Sequence, residues 1–249
     1  MEGNQQFLFF IVVGFVAQII DGSLGMAYGV SASSFLLTFG IPPAVASASV
    51  HAAETFTTFV SGLSHWRLGN VNWALVKRLA IPGVLGGVSG AYLLTNINGD
   101  ILKPWISAYL LLMGLRILFK AFRNLPVEAS LRAHPSVLGL FGGFLDAVGG
   151  GGWGPVVTTT LLADGHEPRM TIGSVNLTEF FVTFSQSITF ILTIGLTLWP
   201  VITGLVLGGV VAAPLGALAA RKIPARAMLI LVGLTIIILS VRTIVLSLN

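Results

Sequence analysis

The stretch GFVAQIIDGSLGMAYG, residues 14–29, decides the fold, because a version of it returns as GFLDAVGGGGWGP, residues 143–155. A shift of 125 residues carries Asp21, Gly25 and Gly29 onto Asp146, Gly150 and Gly154. The same shift carries Pro43, Ser49, Val50, Glu54 and Phe56 onto Pro168, Ser174, Val175, Glu179 and Phe181. One residue more pairs Gly69, Trp73, Gly83 and Gly90 with Gly195, Trp199, Gly209 and Gly216, and LLLMGL from Leu110 resembles LILVGL from Leu229. The chain is therefore two related halves, a first repeat over 1–125 and a second over 126–249.

Those halves are apolar. Hydrophobic residues make up 55% of the chain and charged residues 9%, with a mean hydropathy of +0.93. A soluble domain carries about 25% charged residues, so this chain cannot coat a water-facing surface and reads as an all-α polytopic membrane protein. The net charge of +4 sits in short loops between apolar spans, which fits the positive-inside rule and excludes nucleic acid as a partner. Cysteine is absent, so there is no disulfide and no thiolate site. The start, MEGNQQ, lacks the basic region of a cleaved signal peptide, and the first apolar segment is expected to stay in the mature protein.

The apolar segments run over 7–39, 43–63, 79–95, 104–119, 136–163, 170–194, 199–220 and 227–247. As one helix, the first would be roughly 50 Å long against a hydrocarbon core of about 30 Å. A breaker, Asp21-Gly22-Ser23-Leu24-Gly25, interrupts it, and Asp146 through Gly152 to Pro155 interrupts the fifth. Four successive glycines oppose a continuous helix. Both segments therefore read as re-entrant hairpins, each followed by three crossings. If the hairpins return to the face they entered, Arg67, Lys77, Arg78, Lys120, Arg123, Arg132, Arg221, Lys222 and Arg226 share one face, expected to be cytoplasmic, with both termini outside. Three crossings per half also make the halves inverted in the membrane. The alternative is eight crossing helices, two of them kinked. Val127 to Pro135 reads as the linker between halves. Trp66, Trp73, Trp105 and Trp199 flank spans as interfacial anchors, and Arg116 and Arg242 can snorkel from helix ends.

Helices starting just after Gly25 and Gly152 would aim free backbone N–H groups at midplane, an anion site without a formal cation. The candidate substrate contacts there are Gly25, Met26, Gly151, Gly152 and Trp153. The following crossings add Ser49 and His51 in the first half, and Ser174 and Asn176 in the second. Serine in a membrane helix also bonds its own i−4 carbonyl, which competes with that role. Glu54 and Glu179 fall about ten residues into their spans, where an ionised acid costs on the order of 3 kcal/mol. Each is either a proton-coupling group or an acceptor that holds a hairpin backbone. Asp21 and Asp146 read first as caps for the turn amides. No metal-ligand spacing, cofactor motif or nucleophile–base pattern is found, so neither cofactor nor enzymatic activity is expected.

The chain resembles the TauE/SafE family of sulfite exporters and related permeases. The resemblance spans nearly the whole sequence and rests on the two stretches above, on PPAVASASVHAAETF (42–56) and on TIGSVNLTEFF (171–181). It implies movement of sulfite, an organosulfonate or another small anion across the bacterial cytoplasmic membrane, with the lipid bilayer as a further partner; Glu54 and Glu179 make protons a candidate coupling ion. An anion channel and a non-transporting assembly subunit are the rival readings. The sequence leaves the oligomeric state open, a homodimer among the options.

Overall fold

The computed structural model describes residues 3–122, 134–219 and 225–248. Among these it is helical throughout, with no strand. Most of the expected linker and the bases Arg123, Arg132, Arg221 and Lys222 lie outside the described residues. The first half contains α1 (Gly3–Leu24), α2 (Tyr28–Thr38), α3 (Pro43–Arg67), α4 (Trp73–Asn96) and α5 (Gly99–Phe122). The second contains α6 (Pro135–Gly149), a π-helical turn (Gly154–Thr158) that runs straight into α7 (Thr159–Ala163), then α8 (Pro168–Thr193), α9 (Trp199–Ala219) and α10 (Ala225–Leu248).

Local chemistry explains the boundaries. Proline at the first helical turn opens α3, α6 and α8, where its missing N–H is no loss. The Asn72 side chain takes the amides of Ala74 and Leu75 at the start of α4, at 3.0 and 3.3 Å. Gly25 and Gly150, which correspond in the repeat, both adopt left-handed backbone, φ +69° and +67°, and end α1 and α6. Ala27, at φ 102°, holds a conformation that only glycine adopts cheaply.

The two breaks differ in their arms. At 22 residues, α1 is about 33 Å long and could cross alone, whereas α2 has 11 residues. Phe9 of α1 meets Phe35 and Phe39 at 5.5 and 5.9 Å, so α2 runs back alongside α1. Among the described residues, six helices are long and apolar enough to cross a membrane: α1, α4, α5, α8, α9 and α10. The 25-residue α3 is not among them, because its buried face carries Ser47, Ser49, His51, Glu54, Thr57, Thr58 and Ser61. Length alone would let it cross, and its polar face is buried while Phe56, Phe59 and Trp66 are exposed.

The halves interlock rather than sit side by side. α1 packs along α9, and α6 along α4, so each hairpin's first helix lies against the other half. Glycine makes this possible: a Cβ on Gly14 would fall 2.9 Å from Leu205 Cα, and one on Gly208 or Gly143 would strike the backbone of Ile11 or Gly83. Along α3 and α8 the contacts run in opposite directions: Thr55 meets Ser187 at 3.0 Å and Ser61 meets Asn176 at 2.7 Å. At the end of α5, the Phe122 ring lies 5.2 Å from the guanidinium of Arg226 at the start of α10. Large apolar side chains such as Trp105, Phe119, Leu192 and Ile238 cover the outside.

Overpacking of a tight core contact costs about 1–3 kcal/mol. Gly143→Val should therefore lower the thermal unfolding temperature in detergent clearly, while Leu112→Val on the exposed face of α5 should leave it near wild type. Equal temperatures would show that the α4–α6 contact does not hold the halves together.

Candidate functional site

The two hairpin tips meet in the interior through bare backbone. A Cβ on Gly29 would lie 2.7 Å from Gly151 Cα, and one on Gly154 would lie 2.5 Å from both Gly25 O and Met26 Cα. Gly25 and Gly29 correspond to Gly150 and Gly154, so the contact is reciprocal. Side chains lock it: Thr158 Oγ1 donates to Gly25 O at 2.6 Å, and the Ser33 hydroxyl donates to Gly150 O. Ser47 Oγ adds a bond to Ala147 O at 2.6 Å.

Each tip is capped by the aspartate seven residues before it. Asp146 Oδ1 accepts from the amides of Gly152 and Trp153 at 2.8 and 2.9 Å, and the Asp21 carboxylate accepts the amide of Tyr28. A broken helix inside a membrane leaves donors that water cannot reach, and a carboxylate is the strongest acceptor for them. The other oxygen of Asp146 accepts from Gln186 Nε2 at 3.0 Å and lies 3.1 Å from His51 Nε2.

His51 is fully buried, and its protons can be deduced. Nδ1 lies 2.7 Å from Ser47 O, which can only accept, so Nδ1 carries hydrogen. Nε2 therefore either carries a second proton and donates to Asp146, or accepts from a protonated Asp146. Either way the His51–Asp146 unit is neutral, with one proton shared across it. Glu54 Oε2 lies 3.8 Å from the same ring nitrogen, and the Glu54 carboxylate accepts the amide of Gly29. Glu54 thus acts on the first hairpin as an acceptor for its backbone. Glu179, its counterpart, is buried within electrostatic reach of Asp21, Glu54 and Asp146, and its Oε2 has no partner among the described residues.

The structure gathers Asp21, Gly25, Met26, His51, Glu54, Asp146, Gly151, Gly152, Trp153 and Glu179 around the tips. It puts three expected contacts to other uses. Ser49 Oγ donates to Val45 O at 2.7 Å, the i−4 bond that competes with ligand binding. Ser174 donates to Met170 O at 2.6 Å and accepts the Asn72 amide at 2.8 Å, so it braces the α3–α4 loop. Asn176 accepts from Ser61 and donates to Ile172 O, tying α8 to α3. The amides of Tyr28, Gly29, Gly152 and Trp153 are already engaged and the tips' backbones touch, so an anion reaches them only if the tips part.

Gln186 escaped the sequence reading, although it lies seven residues after Glu179 and hence on the same helical face. Gln18, three residues before Asp21, is fully buried and neither amide atom has a partner among the described residues. Tyr109 lies with its ring against Gly149 and Gly152. A cavity of about 170 Å³ lies beside the first tip, lined by His65, Asn70, Glu167, Pro168, Arg169, Ile172 and Ala217. His65 Nε2 there meets Gly22 O at 2.9 Å. Among the described residues no group of three or more acids and histidines is placed to hold a metal ion.

Comparison with known proteins agrees with this architecture. A family model described as sulfite exporter TauE/SafE matches residues 10–243. A protein named probable membrane transporter protein YtnM, from Bacillus subtilis (strain 168), is 43% identical over 250 residues, covering 97% of this chain and 83% of the relative. Another named probable membrane transporter protein ORF9, from a Sinorhizobium species, is 30% identical over 151 residues, covering 59% of this chain and 57% of the relative. No solved structure matches.

A buried donor left without its acceptor costs about 1–3 kcal/mol. Glu54→Ala should destabilise the protein by that order, and Glu54→Gln, which keeps an oxygen for the Gly29 amide, by less than about half as much. Chemical denaturation in mixed micelles measures both. Equal losses would mean that charge, and not the hairpin bond, is what Glu54 contributes.

Proposed function

The chain belongs to the TauE/SafE family of membrane transporters, and from that premise we propose that it moves a small sulfur oxyanion or organosulfonate, with sulfite the first candidate. The substrate is held near midplane between the hairpin tips. The observation that carries this reading is the convergence of two backbone amides, an imidazole and a side-chain amide on one buried anionic group at the second tip. That donor set suits oxygens of any small oxyanion and offers no long apolar pocket for a larger organic ligand.

The halves are read as inverted repeats, 1–125 and 126–249, each a hairpin and three crossings. The opposed directions of the counterparts α3 and α8 support this, as does the reciprocal contact of the tips. The proximity of Phe122 and Arg226 supports a shared face for the bases, taken as cytoplasmic, with both termini outside. In the bacterial inner membrane this makes the cavity at His65, Asn70 and Arg169 the cytoplasmic approach to the first tip. Arg169 braces that approach through bonds to Asn70 and to Leu68 O.

With the tips in contact, the structure corresponds to an occluded arrangement. Rocking of one repeat against the other opens it to either side in turn. Proton coupling follows from the acids: Glu54 is engaged with the Gly29 amide, which leaves Glu179 as the group on the proton's route.

Sealed proteoliposomes with an imposed pH gradient test the reading. Sulfite uptake should saturate, should be competed by a short sulfonate, and should exchange against a gradient. Non-saturating flux without exchange would identify a channel instead. Glu179→Gln should remove the dependence on the pH gradient; normal flux with that dependence intact would exclude Glu179 from the proton's route.

A further inference from the structure

We propose that Asp146 is the resident anion of the second tip, and that a substrate oxyanion binds by displacing its carboxylate from the same donors. This rests on the transporter reading above and makes it specific. With the shared proton on His51, the donors number four: Gly152 N and Trp153 N on one oxygen, Gln186 Nε2 and His51 Nε2 on the other, all within 2.8–3.1 Å. Asp146 is 1% exposed and both His51 and Gln186 are 0% exposed, so the set is built and desolvated. A helix cap alone needs only the two backbone amides. Asp21 shows that simpler case: it takes the Tyr28 amide, and its Oδ2 has no partner among the described residues. The two side-chain donors at Asp146 come from other helices, α3 and α8, and surround the carboxylate as they would surround two oxygens of a sulfite or sulfonate.

Charge sets the terms of exchange. The groups that face Asp146 are His51 and Glu54 from α3, Glu179 from α8, Asp21 from α1 and Tyr109 from α5. His51 is the one cationic candidate among them. When a monoanion takes the donors, His51 keeps both ring protons and neutralises it. The displaced Asp146 would then be a bare carboxylate in the core, so it takes up one proton, with the new O–H bond at its carboxyl oxygen. Anion and proton therefore enter together, one for one, and Asp146 is the group whose departure links them.

Thermal unfolding of the purified chain in detergent, titrated with sulfite and with methanesulfonate, decides the matter. Asp146→Ala frees the donors. It should unfold below wild type without anion, recover on adding sulfite, and bind sulfite at least about tenfold more tightly, because the competing internal anion is gone. Asp146→Asn should fall between the two, tighter than wild type because a neutral side chain competes for the donors less strongly than a carboxylate, and weaker than Asp146→Ala because it still occupies them. Its Oδ1 keeps both backbone amides, and its amide nitrogen can donate to neutral His51 and to Gln186 Oε1, an atom that has no partner among the described residues. Affinity in Asp146→Asn no tighter than in wild type, or no gain in a folded Asp146→Ala, would overturn the displacement. If Asp146→Ala does not fold, the Asp146→Asn comparison decides alone. Wild type that neither transports nor is stabilised by either anion would instead overturn the substrate assignment itself.

Discussion

Everything near the centre of this molecule depends on the need to satisfy backbone amides where there is no water. Two helices are broken inside an apolar chain, and each break frees N–H groups whose burial unpaired would cost several kcal/mol. The chain answers with a carboxylate seven residues upstream of each break, Asp21 for Tyr28 and Asp146 for Trp153. Having buried those acids, it must position partners for them in turn. His51, Gln186 and Ser47 stand where they do because Asp146 is there, and His51 owes its doubly engaged ring to the carbonyl of Ser47 on one side and the carboxylate on the other.

Close packing follows from the same centre. Tips can meet backbone to backbone only where side chains are absent, and the glycines at 25, 29, 151 and 154 meet that condition. Polar α3 can then lie beside the tips with its polar face turned inward against α8, α9 and α2, while Phe56 and Phe59 face outward. The interlock of α1 with α9 and α6 with α4 means that neither half completes its own packing. The proposed rocking would slide these glycine-lined contacts together, and small residues favour such sliding because few side chains interdigitate across them.

The breaks were legible in the sequence because glycine and aspartate declare themselves locally. Gly25 and Gly150 end helices where the repeat said they would, and the two aspartates bind turn amides as short acceptors do. What the sequence could not show was tertiary. Ser174 and Asn176 align with Ser49 and His51, yet Asn72 and Ser61, neither of them near in sequence, engage their hydroxyl and amide, and the i−4 carbonyls of Met170 and Ile172 take the rest. Gln186 carries no local mark beyond its spacing from Glu179; only the fold brings it to Asp146. The length of α1 was hidden as well, because Asp21 and Gly22 prove compatible with helix when the Asp21 carboxylate takes the Tyr28 amide and Gly22 O meets His65.

Duplication would be expected to give two equal anion sites, and the tips are not equal. The second tip has Gly150, Gly151 and Gly152 where the first has Gly25, Met26 and Ala27, and at the second the consecutive amides of Gly152 and Trp153 fall on one carboxylate oxygen. Its carboxylate meets His51 from the first half, whereas the residue corresponding to His51 in the second half is Asn176, which is turned to Ser61. The first tip instead contributes surface: the Gly25 carbonyl held by Thr158, and Gly29 against Gly151. One half thus carries the donors and the other supplies the imidazole and the closing wall. A single asymmetric site assembled across the interface between the halves is one that any movement of one half against the other must change, which is what the proposed mechanism needs.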